Sequence, residues 1–145
     1  MTIAVARHLL LVDDELEILD AIAGYLRRRN LLVTTASCYE QADRLLKDRS
    51  QAFDALVSDV RMPDGSGVEL ARSFLGRPSG GACILMTGHL EVSDLSTDLL
   101  KSGLSVIYKP FSLSALCTKI VEVLAALPNR THAGDSQHEI ALKLA

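Results

Sequence analysis

Four short apolar runs in this chain each stop at a polar residue. His8-Leu9-Leu10-Leu11-Val12 runs into Asp13-Asp14, and Ala55-Leu56-Val57 into Ser58-Asp59. Cys83-Ile84-Leu85-Met86 runs into Thr87-Gly88, and Leu104-Ser105-Val106-Ile107-Tyr108 into Lys109-Pro110. Short continuous apolar runs bounded by turn residues read as strands buried on both faces. Such strands belong to parallel sheets covered by helices. In open α/β sheets, ligands bind beyond the carboxyl ends of the strands. The sequence therefore places acids, a hydroxyl and an ammonium at the edge where an α/β fold builds its site.

The segments between the runs read as helices. Leu16, Leu19, Ile22, Ala23 and Leu26 recur at helical spacing and predict an inward stripe on a first helix over 15–29. Arg27, Arg28 and Arg29 suit the end of that helix, where cations complement the helix dipole. A β-branched second strand follows over 32–36. Ser37 is the expected N-cap of a second helix over 38–49, with Ala42, Leu45 and Leu46 inward. The third strand is expected over 54–58, a loop over 59–66 and a helix over 67–75. Pro78-Ser79-Gly80-Gly81 is a turn before a fourth strand over 82–86. A helix over 91–102 is rich in Ser, Thr and Asp, which are mediocre helix formers, and is expected to be the least rigid. A fifth strand over 104–108 and a helix over 113–126 capped by Ser112 complete the pattern. Five alternations of strand and helix imply parallel strands joined by right-handed crossovers, with helices on both faces.

The bulk properties exclude several classes. The formal net charge is −3, so there is no basic footprint for nucleic acid. No apolar run reaches the length of about 18 residues that a membrane helix needs, and the N-terminal run is too short and wrongly flanked for a signal peptide. A cytoplasmic setting is expected. Cys38, Cys83 and Cys117 lack paired spacing and are expected to be reduced thiols. The four histidines show no ligand spacing.

The order Asp13-Asp14, Asp59, Thr87, Lys109-Pro110, each at a strand end, resembles the receiver domain of two-component response regulators over about 7–127. The runs Asp59-Val60-Arg61-Met62-Pro63-Asp64 and Met86-Thr87-Gly88-His89 look most like receivers of the nitrogen-fixation-regulator subfamily. The resemblance implies a flavodoxin-like (βα)5 doubly wound sheet of five parallel strands in the order 2-1-3-4-5. That strand order comes from the resemblance, since receivers are themselves a standard instance of it, and not from the spacing of these residues.

The chemistry fits these residues. An aspartyl carboxylate is a weak nucleophile that can nonetheless form a covalent acyl phosphate. Asp13 and Asp14 near Asp59 crowd like charges. At about 4 Å and an effective dielectric near 20, one such pair costs about 4 kcal/mol. A divalent cation relieves this, and all-oxygen ligands with retained waters suit Mg²⁺. By resemblance, Asp59 is the phosphoacceptor, Asp14, Asp59 and the Arg61 main-chain carbonyl bind Mg²⁺, and Asp13 does so through water. Lys109 and Thr87 would contact phosphoryl oxygens, and the Lys109-Pro110 bond is expected to be cis. Alone, each residue has a plainer reading: Asp13-Asp14 as a helix cap, Thr87 as a loop hydroxyl, Lys109 as a solvated strand end.

Residues 1–127 are thus expected to form a stand-alone receiver that takes a phosphoryl group from a sensor histidine kinase or a histidine phosphotransferase. It assists its own phosphorylation and dephosphorylation without being an enzyme proper. The output would be contact with an unidentified protein, with no nucleic acid and no membrane bound by this domain. The resemblance allows a homodimer through the face of helix four, strand five and helix five. Residues 128–145 read as a linker and tail, with a helix at 137–144 opened by a Ser136-Gln137-His138-Glu139 capping box. The alternatives are the receiver part of a truncated DNA-binding regulator and a phosphate sink. A haloacid-dehalogenase-type phosphatase fits poorly, since its D-x-D-x-T motif has no match at Asp13-Asp14-Glu15-Leu16. Similar receivers carry Tyr or Phe three residues before the Lys of the K-P pair, whereas this chain has Val106. Valine is nearly fixed at χ1, so signalling by a rotamer at 106 is not expected. Tyr108 shares its strand face.

Overall fold

The computed structural model describes residues 6–88, 95 and 97–128. The apolar runs become strands β1 (His8–Val12), β3 (Ala55–Asp59), β6 (Ala82–Thr87) and β7 (Leu104–Tyr108), joined by β2 (Leu32–Ala36). The sheet order is β2-β1-β3-β6-β7, and every neighbouring pair is parallel. Between β3 and the next helix lies a hairpin of two-residue strands, β4 (Arg61–Met62) and β5 (Gly65–Ser66). With the hairpin set aside, the order is the expected 2-1-3-4-5.

The helices are α1 (Leu16–Arg27), α2 (Tyr39–Lys47), α3 (Gly67–Leu75), α4 (Thr97–Lys101) and α5 (Leu113–Ala125). Alternation along each strand feeds two core layers. Leu9, Leu11, Val57, Ile84 and Met86 pack under α1 and α5 with Leu19, Ile22, Leu116 and Ile120. Leu10, Val12, Leu56, Cys83 and Leu85 pack on the other face with Ala42, Leu70, Phe74 and Leu99. Leu9 to Val12 are all fully buried, as a run with no polar alternation demands.

Several local expectations change. Leu16, expected on the inward stripe, is 62% exposed. It is the first residue of α1, four beyond the last residue of β1, and the buried face of the helix begins only at Leu19 and runs through Ile22, Ala23 and Leu26. Asn30 takes φ 66° and turns the chain toward β2, which ends α1 at Arg27 and leaves Arg28 and Arg29 outside it. Helix α2 starts at Tyr39 with Cys38 as its N-cap residue and no side-chain cap bond from it. The Ser37 main-chain N–H instead donates to Gln41 Oε1 at 2.9 Å, and Ser37 does not cap the helix. Leu45 is half-buried at the edge of the core. Ser66 caps α3 through Val68 N–H at 3.1 Å, and Ser112 caps α5 through Ala115 N–H at 3.0 Å. Of the expected helix over 91–102, residues 97–101 form α4; most of the remainder and the tail helix at 137–144 lie outside the described residues. Cys83 and Cys117 are buried free thiols, and Cys38 is a half-buried one.

Candidate functional site

The carboxyl ends of β1, β3, β6 and β7 meet at one edge, and each delivers the polar residue that ends its apolar run. Asp13 follows β1 directly and is fully buried; its main-chain N–H donates to the Ala36 carbonyl at 3.2 Å. Its Oδ1 accepts from Glu15 N–H at 2.9 Å, which leaves Oδ2 facing the site. Asp14 is exposed. Asp59 is the last residue of β3, the central strand, and 9% of it is exposed. Oxygens of Asp13, Asp14 and Asp59 all lie within 4.8 Å of one another.

Lys109 reaches this cluster from the end of β7. Its Nζ is 3.3 Å from Asp59 Oδ2 and 3.5 Å from Asp13 Oδ2. Its main-chain N–H donates to the Thr87 carbonyl at 2.7 Å, and its peptide bond to Pro110 is cis. Thr87 is buried and lies one residue beyond Met86, the register partner of Asp59. So Asp13, Asp14, Asp59 and Lys109 meet directly, with Thr87 beside them. Arg61 pairs with Ser66 in the hairpin two residues past Asp59.

The cluster is electrostatically loaded. Burial raises the Asp59 carboxyl above the usual carboxylate range; Lys109 opposes this, while Asp13 and Asp14 add to it. Burial alone would lower the Lys109 ammonium, but Asp13 and Asp59 more than offset that, and its proton is held more tightly than usual. Three carboxylates against one ammonium leave excess negative charge. Two unit charges at the 4.8 Å limit repel by about 3.5 kcal/mol at an effective dielectric near 20. An all-oxygen donor set with that excess fits a hard divalent cation.

Three supporting features were not legible as site features. Asp64, at the tip of the β4–β5 hairpin, accepts from the main-chain N–H groups of Tyr39 at 2.9 Å and Glu40 at 3.1 Å. These bonds, Glu40 first, hold its carboxyl below the usual range. An aspartate supplies the cap that Ser37 was expected to give, from 25 residues away. Gly67 passes directly beneath the Asp59 main chain: a Cβ there would overlap the Asp59 carbonyl oxygen and stand 3.0 Å from Ser58 Oγ. Ser58 itself donates to the Asp59 carbonyl at 2.8 Å. A Gly placed eight residues after the acid was the available signal for the close approach; nothing local pointed to the cap.

The response regulator receiver domain family matches residues 9–121. Response regulator SaeR of Staphylococcus epidermidis is 29% identical over 126 residues, covering 87% of this chain and 54% of that protein. The Staphylococcus aureus SaeR is 28% identical over 125 residues, 86% of this chain and 54% of that one. The chain thus spans about half the length of the curated relatives it matches. Among solved structures, a response regulator receiver protein from Sinorhizobium medicae is 27% identical with a TM-score of 0.73, covering 83% of this chain and 96% of that chain. A receiver domain protein from Clostridium thermocellum, at 24% identity and TM-score 0.72 over 82% and 94% of the two chains, has the same fold. No helix among the described residues is long and apolar enough to cross a membrane. This chain belongs to the response regulator receiver domain family.

Proposed function

We propose that the chain is a phosphorylation-dependent switch in which Asp59 accepts a phosphoryl group from a phosphohistidine of a sensor histidine kinase or a histidine phosphotransferase. The observation that carries this is the convergence of Asp13, Asp14, Asp59 and Lys109 at the sheet edge. An Asp59 carboxylate oxygen attacks phosphorus; the P–N bond to the donor imidazole breaks as the P–O bond forms, and the imidazole leaves with the electron pair and takes up a proton. Lys109, already 3.3 Å from Asp59 Oδ2, supplies a fixed cation to a phosphoryl oxygen, and Thr87 supplies a hydroxyl to another. Asp14, Asp59 and the Arg61 carbonyl would hold Mg²⁺, with Asp13 acting through water. When bound, Mg²⁺ supplies positive charge that offsets the negative charge of the incoming group.

Preorganised cations serve both directions of phosphoryl transfer, because little covalent work is left to the protein. The same residues therefore support hydrolysis of the acyl phosphate by water. The output is contact with a partner protein rather than nucleic acid, in keeping with a net charge of −3. Residues 1–127 act as the receiver unit. A homodimer through α4, β7 and α5 is one form the output contact takes, and Tyr108 and Leu100, 47% and 44% exposed, supply apolar surface for it. A cytoplasmic setting suits the kinase donor.

Transfer profiling against the histidine kinases of the source organism tests this reading. One kinase should label the wild type on a short time scale and leave Asp59→Ala unlabelled. Equal labelling of the alanine variant would end the assignment.

A further inference from the structure

The chain after Asp59 is held at three places. Val60 N–H donates to the Met86 carbonyl at 3.1 Å, and the Val60 carbonyl accepts from Gly67 N–H at 2.8 Å. Arg61 and Met62 then pair with Ser66 and Gly65, and the Met62 side chain is buried. The third hold is at the hairpin tip, where the Asp64 carboxylate takes the first two N–H groups of α2 with one oxygen each. Beside it the Tyr39 ring lies against Gly65, leaving no room for a Cβ there. A helix N-terminus carries unsatisfied N–H groups and partial positive charge. Usually a residue at the helix start answers them. Here Cys38 makes no such bond, and the helix start depends on an acid borne by the hairpin. The coupling runs both ways: α2 is packed into the core through Ala42 and Leu46, so the bonds that cap it also fix the hairpin.

We propose that Asp64 is a positioning residue for the cation site: by capping α2 from the hairpin tip, it fixes the segment 60–64 that presents the Arg61 main-chain carbonyl. This rests on the Mg²⁺ site proposed above. Asp64 touches neither the phosphoryl group nor the cation and works through the backbone of the hairpin. A two-residue hairpin is too short to hold itself, since isolated hairpins are marginal even at greater length. Without the outer hold, Arg61 samples other orientations and cation affinity falls.

The test is an MgCl₂ titration followed by amide NMR shifts on the full chain, together with thermal melts, for wild type, Asp64→Asn, Asp64→Ala and the double variant Cys38→Ser/Asp64→Ala. Supporting residues around metal ligands matter about 10–100-fold, and one step further out the expected loss for Asp64→Ala is about 3–10-fold in Mg²⁺ affinity. Asp64→Asn retains an acceptor oxygen and should recover part of it. In the double variant the introduced serine hydroxyl stands at the N-cap, where the Cys38 backbone is extended (φ −154°, ψ 166°), and can cap α2 locally. Melting temperature should then recover while Mg²⁺ affinity stays low. Affinity in Asp64→Ala equal to wild type, or affinity that recovers in step with stability in the double variant, would overturn the proposal. A wild type with no Mg²⁺ response would instead refute the cation site itself, and the role of Asp64 with it.

Discussion

Replacing glycine by alanine at two positions should move stability in opposite directions, because the two sites differ in what a methyl group meets. At Gly67 the added Cβ would overlap the Asp59 carbonyl oxygen and stand 3.0 Å from both the Asp59 carbonyl carbon and Ser58 Oγ. None of this can rotate away cheaply. Asp59 closes the central strand, paired with β6, and its carbonyl already accepts from Ser58 Oγ. The start of α3 must therefore move, which stretches the 2.8 Å bond from Gly67 N–H to the Val60 carbonyl. Overpacking of this kind costs about 1–3 kcal/mol, and a lost hydrogen bond adds about 0.5–1.5 kcal/mol. Gly67→Ala should lose about 1.5–4.5 kcal/mol on those two contributions. At Gly24, inside α1, the nearest atom to an added Cβ is an Arg28 side-chain nitrogen at 3.6 Å, an ordinary contact. Alanine there should gain about 0.5–1 kcal/mol, as expected for relieving a helix-interior glycine. Urea unfolding reads both as shifts of midpoint at unchanged slope. A Gly67→Ala midpoint at or above that of wild type would refute the steric reasoning, and so would a loss at Gly24 as large as the loss at Gly67.

Other outcomes follow from the same geometry. In EDTA at neutral pH, Asp59→Asn should melt at a higher temperature than wild type, because it removes one of three crowded carboxylates; MgCl₂ should then stabilise wild type more than the variant, as paired melting curves would show. Asp64 has its carboxyl held low in the folded state by the Glu40 and Tyr39 N–H groups. Its stabilising effect is therefore present above the ordinary carboxylate value of about 3.9 and lost as pH falls through the lower folded value. The difference in urea midpoint between wild type and Asp64→Ala should be constant from neutral pH down to that ordinary value and close below it; a gap that widens in acid would contradict the cap. Phosphorylation should shift NMR signals of Gly88 and residues 97–104 more than the Val106 methyls, and Tyr108→Phe should keep partner binding. A rotamer change at Val106 with α4 unmoved would count against this.

What could be read from the sequence had a local cause. Each strand end carries its own signal, an apolar run stopped by Asp13, Asp59, Thr87 or Lys109, and β2, α3 and β7 need only neighbouring residues to specify them. Periodicity also marked the inward residues of α1 from Leu19 onward. It could not show that Leu16 is exposed, because periodicity marks a face of the helix and not which of its turns reaches the core. The β4 and β5 strands are two residues each and too short to show any alternation. The cap on α2 is the clearest loss: Ser37 has the right chemistry next to the helix, yet the bonds go to Asp64, whose nearness is a product of the finished fold. The strand ends place Asp59 and Lys109, 50 residues apart, at one sheet edge, but their direct contact depends on the strand order, which came from the family pattern.

The identity of the acceptor can be decided on the purified chain with a small acyl-phosphate donor and intact-mass spectrometry. Wild type should gain a single phosphate adduct when Mg²⁺ is present, EDTA should suppress it, and Asp59→Ala should show none under either condition. A full single adduct on Asp59→Ala would mean that another residue takes the phosphoryl group.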